Sequence, residues 1–262
     1  MATHVPFTSR RLSKARCDRD GGHSRSHAAT FSGLWECTLE VVTPLCIRSY
    51  FEQPAAAGLP LYIPGSSIRG MVRSVVEMLG ASCGRRQPPG TWPEALRPCS
   101  AHSTCIGCRV FGFVQGPITW QGKISVGDTK KRTCTIAGMP LPPTGGTTPA
   151  APAGGGWRVF PHELPAAVGG ALSCAAIGEV FEFQVRYEDL SREEYDVLKF
   201  ALTLQSPGVS ARLCHKLGYS KERGLGSCIV SILHDASPAV SAGIDPYVND
   251  PAFAVFVAAR TC

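Results

Sequence analysis

The sequence predicts an α+β protein, a ferredoxin-like core elaborated by insertions, and three observations lead there. Residues 34–47 (LWECTLEVVTPLCI) and 178–190 (GEVFEFQVRYEDL) are rich in β-branched and apolar side chains, and read as strands. Two later stretches, SSIRGMVRSVVEML and SREEYDVLKFALTLQ, carry apolar residues at helical spacing. The pieces follow the order strand, helix, strand pieces, long insertion, strand, helix, glycine-rich loop, strand. Strand–helix–strand units repeated in this way place both helices on one sheet.

The first strand ends near the turn-forming Pro44, and the loop RSYFEQPAAAG and the run LPLYI lead to a helix from about Ser67 to Leu79. Ile68, Met71, Val72, Val75, Val76 and Leu79 give that helix one buried face. Ser66 or Ser67 is its expected cap and Gly80 its expected stop. Residues 81–108 read as a Pro-, Gly- and Cys-rich loop, and RVFGFV and KISVGDT as strand pieces. Residues 133–157 are low-complexity Pro, Gly, Thr and Ala, and predict a flexible insertion or a long hairpin tip. In GEVFEFQVRYEDL the alternation turns Phe181, Phe183, Val185 and Tyr187 toward the core. Ser191 and Glu194 form a capping box ahead of the apolar stripe Tyr195, Leu198, Ala201 and Leu202. A basic glycine loop then feeds a strand over 227–234, and AFAVFVAA reads as one more strand.

A chain of 262 residues with 44% hydrophobic and 18% charged residues suits one elaborated globular domain over residues 31–262. The net charge of +6 is compatible with a nucleic-acid partner. No apolar stretch reaches the roughly 18–20 residues of a membrane span, so no membrane partner and a cytoplasmic location are expected. Residues 1–30 are basic without an apolar signal region, and read as a flexible arm able to order on phosphates. Twelve cysteines in that setting are expected to stay reduced, with Cys37, Cys46, Cys174 and Cys228 as small buried hydrophobes.

Three constellations could carry chemistry. In IPGSSIRGMVRS, Gly65 and Gly70 strip side chains from beside a helix N-terminus, where free amides and the dipole favour an anion. Ser66, Ser67, Arg69 and Arg73 would complete such a phosphate site, although the same residues suit an ordinary capped surface helix. In HKLGYSKERGLG, Lys216, Lys221 and Arg223 alternate with Gly218, Gly224 and Gly226, so cations and close backbone approach coincide. A simple glycine-rich turn is the alternative, and the stretch matches neither a phosphate loop nor a dinucleotide fingerprint. In CSAHSTCIGCRVFGF, Cys99, His102, Cys105 and Cys108 would make a closed tetrahedral zinc site, with Cys83 as reserve ligand. No nucleophile elbow or zinc-protease helix is present. Asp128 reads as a turn or ion-pair residue rather than a base.

These stretches resemble one family. YIPGSSIRGMVRSVVE is similar to the helix entry of the RAMP superfamily of CRISPR-associated proteins, CIGCRVFGF to the Cys-x-x-Cys-Arg-x-Phe-Gly element that follows it, and GYSKERGLGSCIVSI to its C-terminal glycine loop and strand. The resemblance covers roughly residues 34–132 and 178–234, in the family's order. It points to the Cas-seven-like backbone branch of a type III-like or related effector complex. That implies an RRM-like palm with inserted subdomains, among them a zinc-binding one, and a thumb-like hairpin at 133–157. It implies a subunit that oligomerises along CRISPR guide RNA, pairs it with complementary target RNA, and works beside other effector subunits including a separate nuclease. Ser66, Ser67, Arg69, Gly70, Arg73, Lys216, Lys221, Arg223 and Gly224 would contact the guide. Target-cutting members carry an aspartate between the first strand and the helix. Here RSYFEQPAAAGLPLY holds only Glu52, so no nuclease activity is expected. The alternative is a RAMP endoribonuclease, cleaving target through Glu52 or Asp128 or processing guide through His23, His27 or His215.

Overall fold

The computed structural model of the chain describes residues 3–5, 30–47, 60–80, 82–83, 99–100, 104–115, 118–130, 132–133, 136–140, 157–160, 162, 171–205, 211–234 and 251–262. Strands β1 (Thr3–Val5), β2 (Phe31–Val41) and β3 (Pro60–Leu61) precede helix α1 (Gly65–Leu79). Helix α2 (Ile106–Phe111) leads into β4 (Phe113–Gln115), β5 (Ile118–Trp120), β6 (Ile124–Val126), β7 (Arg132–Thr133), β8 (Ile136–Pro140), β9 (Trp157–Val159), β10 (Ala171–Ala175) and β11 (Val180–Leu190). Helix α3 (Arg192–Thr203), β12 (His215–Lys216), β13 (Ser227–Ile232) and α4 (Pro251–Arg260) follow.

The chain folds as a mixed α/β protein around one antiparallel sheet of order β12-β13-β2-β11-β6. Alternation decides which face is covered. Trp35, Cys37, Leu39 and Val41 of β2 are buried, as are Phe181, Phe183, Val185 and Tyr187 of β11. The register sets Leu39 opposite Phe181 and Trp35 opposite Val185, so each inward pair meets across the strands. Helices α1 and α3 pack together on that face, and Tyr195 of α3 closes an aromatic group with Trp35 and Tyr187, ring centroids 5.4 and 5.7 Å away. Each large side chain buried here contributes about 1.5–3 kcal/mol. The opposite face stays open and carries Glu36, Glu40, Glu182, Gln184 and Arg186.

Several elements differ from the sequence reading. RVFGFV is not a strand: its first half belongs to α2, and only Phe113 onward pairs with β5. AFAVFVAA is helix α4, because Phe253 and Phe256 close on Phe200 of α3, with centroids 5.8 and 6.3 Å from its ring. A short all-apolar run carries no period that separates the two states. The expected reduced state also fails at one pair, since Cys214 and Cys262 form a disulfide. Within the expected arm, residues 3–5 pair with β9, while residues 6–29 lie outside the described residues. The 133–157 insertion is rooted by the antiparallel β8–β10 ribbon, fastened at Leu45–Ala175, and 141–156 lie outside the described residues.

Candidate metal centre and basic sheet end

Helix α1 starts at Gly65, and neither Ser66 nor Ser67 caps it; both sit exposed inside its first turn. The cap comes from Asp128, just after β6, whose Oδ1 accepts the Gly65 N–H at 2.7 Å. Asp128 was read as a turn or ion-pair residue, and its place is set by the sheet. A side chain at Gly65 would strike the carbonyls of Val126 and Gly127, so only glycine lets α1 approach β6 this closely. At the far end, Gly80 has φ −86° rather than a left-handed turn, and a Cβ there would strike Ile106. Gly80 therefore makes room for α2.

Four cysteines meet beside that contact. The sulfurs of Cys83, Cys99, Cys105 and Cys108 all lie within 4.8 Å of one another, and all four residues are buried. Cys105 is the N-cap of α2, which returns Cys108 one turn later. Cys83 lies 3.4 Å from Cys108 and 3.8 Å from Cys105, sulfur to sulfur. Four thiolates at 2.3 Å from a central ion would form a tetrahedron with edges of about 3.8 Å, so this group could hold a metal ion. Backbone N–H groups of Cys83 and Cys108 donate to the Cys105 sulfur, and that of Cys105 to the Cys99 sulfur at 3.1 Å. Hydrogen bonding with Cys108 pulls the Cys105 thiol well below its ordinary range and pushes the Cys108 thiol up. Cys83, the reserve ligand of the sequence reading, thus supplies the fourth sulfur. His102 lies outside the described residues.

The rest of Cys-x-x-Cys-Arg-x-Phe-Gly fastens this centre to the core. Arg109 donates from Nε to Glu194 Oε1 at 2.7 Å, and Lys123 donates to Glu194 Oε2 at 2.8 Å. Burial would raise the Glu194 carboxyl, but Lys123 and Arg109 hold it below its ordinary value. Glu194 also completes the expected capping box of α3. Gly112 has φ +72°, and its carbonyl faces Arg73 at 3.4 Å. Arg69 donates to the Phe111 carbonyl at 2.6 Å, Arg73 donates to Glu77, and both guanidinium groups lie over the Phe111 ring. Sequence reasoning missed this use, because nothing in the spacing ties residue 69 to residue 111.

The other cations gather at one end of the sheet. The chain leaves β2 there and enters β13 there after the glycine loop, since β13 runs antiparallel to β2. Helix α1 begins against Val126 and Gly127, at the end of β6 that points the same way, because β6 and β2 both run antiparallel to β11. Gly226 donates its N–H to the Pro44 carbonyl, and Tyr219 to the Cys46 carbonyl. Lys216 is buried and spends its ammonium on the carbonyls of Gly224 and Leu225, at 2.6 and 3.1 Å. It holds the loop from beneath. Lys221 and Arg223 form a single 3-10 turn at the loop's rim, with Lys221 over the Phe160 ring. A side chain at Gly70 would meet nothing within 4 Å, so α1 keeps an open surface beside its exposed serines. His215 is fully buried and bound to the Leu202 carbonyl at 2.9 Å, out of reach of any substrate. Glu52, His23 and His27 lie outside the described residues.

The model of the RAMP superfamily matches residues 38–229. No curated protein matches. Among solved structures, a chain of a Type IV-B CRISPR Complex is similar, with TM-score 0.45 and 16% identity, covering 79% of this chain and 92% of that one. Among the described residues, no helix is long and apolar enough to cross a membrane.

Proposed function

Because the chain belongs to the RAMP superfamily, we propose that it is a guide-RNA-binding backbone subunit of an RNA-guided effector complex. It holds the guide for pairing with complementary target RNA, assembles with further copies of itself, and leaves cleavage to a separate subunit. A ferredoxin-like, RRM-like palm is part of this proposal: the strand–helix–strand order and the neighbours β13-β2-β11-β6 support it. The β8–β10 ribbon would be the base of the thumb, and zinc the ion of the four-cysteine centre, as its sulfur-only donor set favours.

The observation that carries the reading is convergence. The open first turns of α1, with Ser66, Ser67 and Gly70, and the basic rim of Lys221, Arg223 and Gly224 emerge at the same end of one sheet. Cations that neutralise phosphates without reading bases suit a guide of any sequence. Arg69, Arg73 and Lys216 act one step back, since their donors already serve Phe111, Gly112 and the glycine loop. The absence of aspartate from RSYFEQPAAAGLPLY supports a subunit without its own nuclease.

The test is binding of guide-length RNA by the full chain across a salt series. Lys221→Ala with Arg223→Ala should weaken binding to unrelated sequences alike and reduce the salt slope by about one per lost phosphate contact. An unchanged slope would remove the rim from the interface. Incubation of the assembled protein with paired target and magnesium should leave the target intact, and periodic cuts would assign it an endoribonuclease role instead.

A further inference from the structure

Cys46 and Cys174 belong neither to the four-cysteine centre nor to the Cys214–Cys262 disulfide, and both keep their thiols. They come from segments far apart in the chain. Cys46 lies just past the exit of β2, and Cys174 lies in β10, within the ribbon that roots the 133–157 insertion. The backbone brings them face to face. Leu45 donates its N–H to the Ala175 carbonyl at 3.0 Å, and Ala175 donates back to the Leu45 carbonyl at 2.8 Å. That exchange defines a hydrogen-bonded antiparallel pair, so Cys46 and Cys174, one step along, occupy the adjoining non-hydrogen-bonded pair. Side chains of such a pair stand on one side of the two strands, with Cα atoms about 4.5 Å apart. A disulfide needs about 4.4–6.8 Å between Cα atoms, so the register already meets its requirement.

Packing agrees with the register. Cys46, Cys174 and Leu225 of the glycine loop form a small buried cluster of their own. Hydrogen bonding to Cys46, reinforced by burial, holds the Cys174 thiol above its ordinary range. Cys174 therefore keeps its proton, and Cys46 presents the more nucleophilic sulfur. The glycine loop also pins the backbone on both sides of Cys46. Gly226 donates to the Pro44 carbonyl at 3.0 Å and Tyr219 to the Cys46 carbonyl at 2.9 Å, and a side chain at Gly218 would strike that same carbonyl. Cys46 cannot drift from its partner without unseating the loop. Cys46 is 6% and Cys174 1% exposed. Susceptibility to oxidation follows access to the sulfur, so this burial shuts out bulky reagents such as oxidised glutathione and favours an oxidant of a few atoms.

We infer that Cys46 and Cys174 form a redox modification site, a dithiol that hydrogen peroxide closes into a second disulfide. The Cys46 sulfur attacks one peroxide oxygen, the O–O bond breaks, and one water leaves with Cys46 as its sulfenic acid. The Cys174 sulfur then attacks the Cys46 sulfur and displaces that hydroxyl, which takes the Cys174 proton and leaves as a second water. Two thiols lose two electrons and two protons in all, and one peroxide is reduced to two waters. The new bond joins the end of β2 to the β8–β10 ribbon, beside Leu225 of the glycine loop. The inference stands apart from the guide-binding reading, because neither cysteine is among the proposed guide contacts.

The test uses the full chain, reduced in zinc-containing buffer, desalted, treated with hydrogen peroxide, alkylated and digested without reductant. Mass spectrometry should find a peptide that joins Cys46 to Cys174, and Cys46→Ala and Cys174→Ala should each lack it. Oxidation should raise the Tm of the unaltered chain by about 5–10 °C more than that of Cys174→Ala, since the bond closes a long loop. Any change at the four-cysteine centre or at Cys214–Cys262 is shared by both chains and drops out of that difference. If a variant fails to fold, the joined peptide from the unaltered chain still decides. Recovery of Cys46 and Cys174 as separately alkylated thiols overturns the inference. So does oxidation of Cys46 to a sulfinic acid without the joined peptide, or a bond from Cys46 to any other cysteine.

Discussion

At the scale of single residues, buried polar groups set the measurable behaviour. His215 is neutral in the fold, with its pKa near 3 against an ordinary 6.5, chiefly through burial. The unfolded chain therefore binds the extra proton first as pH falls, and stability drops from about pH 6.5 downward toward 3. The slope is about 1.4 kcal/mol per pH unit for this residue, and His162, also near 3, adds its own. Urea midpoints at pH 7 and pH 5 in phosphate-free buffer should show the fall, and His215→Gln, which keeps a donor for Leu202, should remove its share. Glu194 gives a second prediction. It joins Arg109, Lys123 and the α3 cap, so Glu194→Leu should cost about 1–3 kcal/mol, because Arg109 then keeps only the longer Glu193 contact and the Thr104 carbonyl, and Lys123 the Asp189 carbonyl. A loss under 1 kcal/mol would show that the network does not hold α2. The sequence made the Ser191–Glu194 box legible, because capping is a local rule. It could not show Arg109 reaching Glu194, which is a contact across 85 positions.

At the scale of elements, α2 is the least self-sufficient. Its six residues are too few for a stable isolated helix. The four sulfurs, the Arg109 ion pairs and the Phe111–arginine stack hold it instead. Stripping metal with a chelator, or Cys105→Ser, should loosen α2 and release Arg69 and Arg73 together, read as a lower Tm and new protease sensitivity near residue 109. Elemental analysis of the purified chain should find about one zinc per chain, and a metal-free chain of unchanged Tm would reject the centre. The sequence made Cys99, Cys105 and Cys108 legible through their close spacing. Cys83 was harder, because proximity in sequence favoured His102, while Cys83 is brought into place by the Gly80–Ile106 contact and the Ser82–Gly107 hydrogen bond. The cap of α1 was illegible for a related reason: Asp128 is 63 positions from the amide it satisfies. Helix α4 was misread because its exposed positions are Ala254, Val255 and Ala258, which leaves no polar stripe to count.

At the scale of the whole molecule, the order of elements was readable from periodicity, while the turning of α1 and the glycine loop toward the same end of the sheet follows from the antiparallel registers of β13 on β2 and of β2 and β6 on β11. One feature of the sheet bears on how a nucleic acid would lie. Trp35, Tyr187 and Tyr195 all point into the core, and the uncovered side of β2 and β11 presents Glu36, Glu40 and Glu182. A strand of RNA crossing β2 and β11 there would find no ring to stack on, and a surface where Lys130 and Arg212 are already paired with Glu182 and Glu40. Held by its backbone at the sheet's end, as proposed, it would keep its base edges turned away from the protein. A polymer presented in that way is legible to a second strand by base pairing alone.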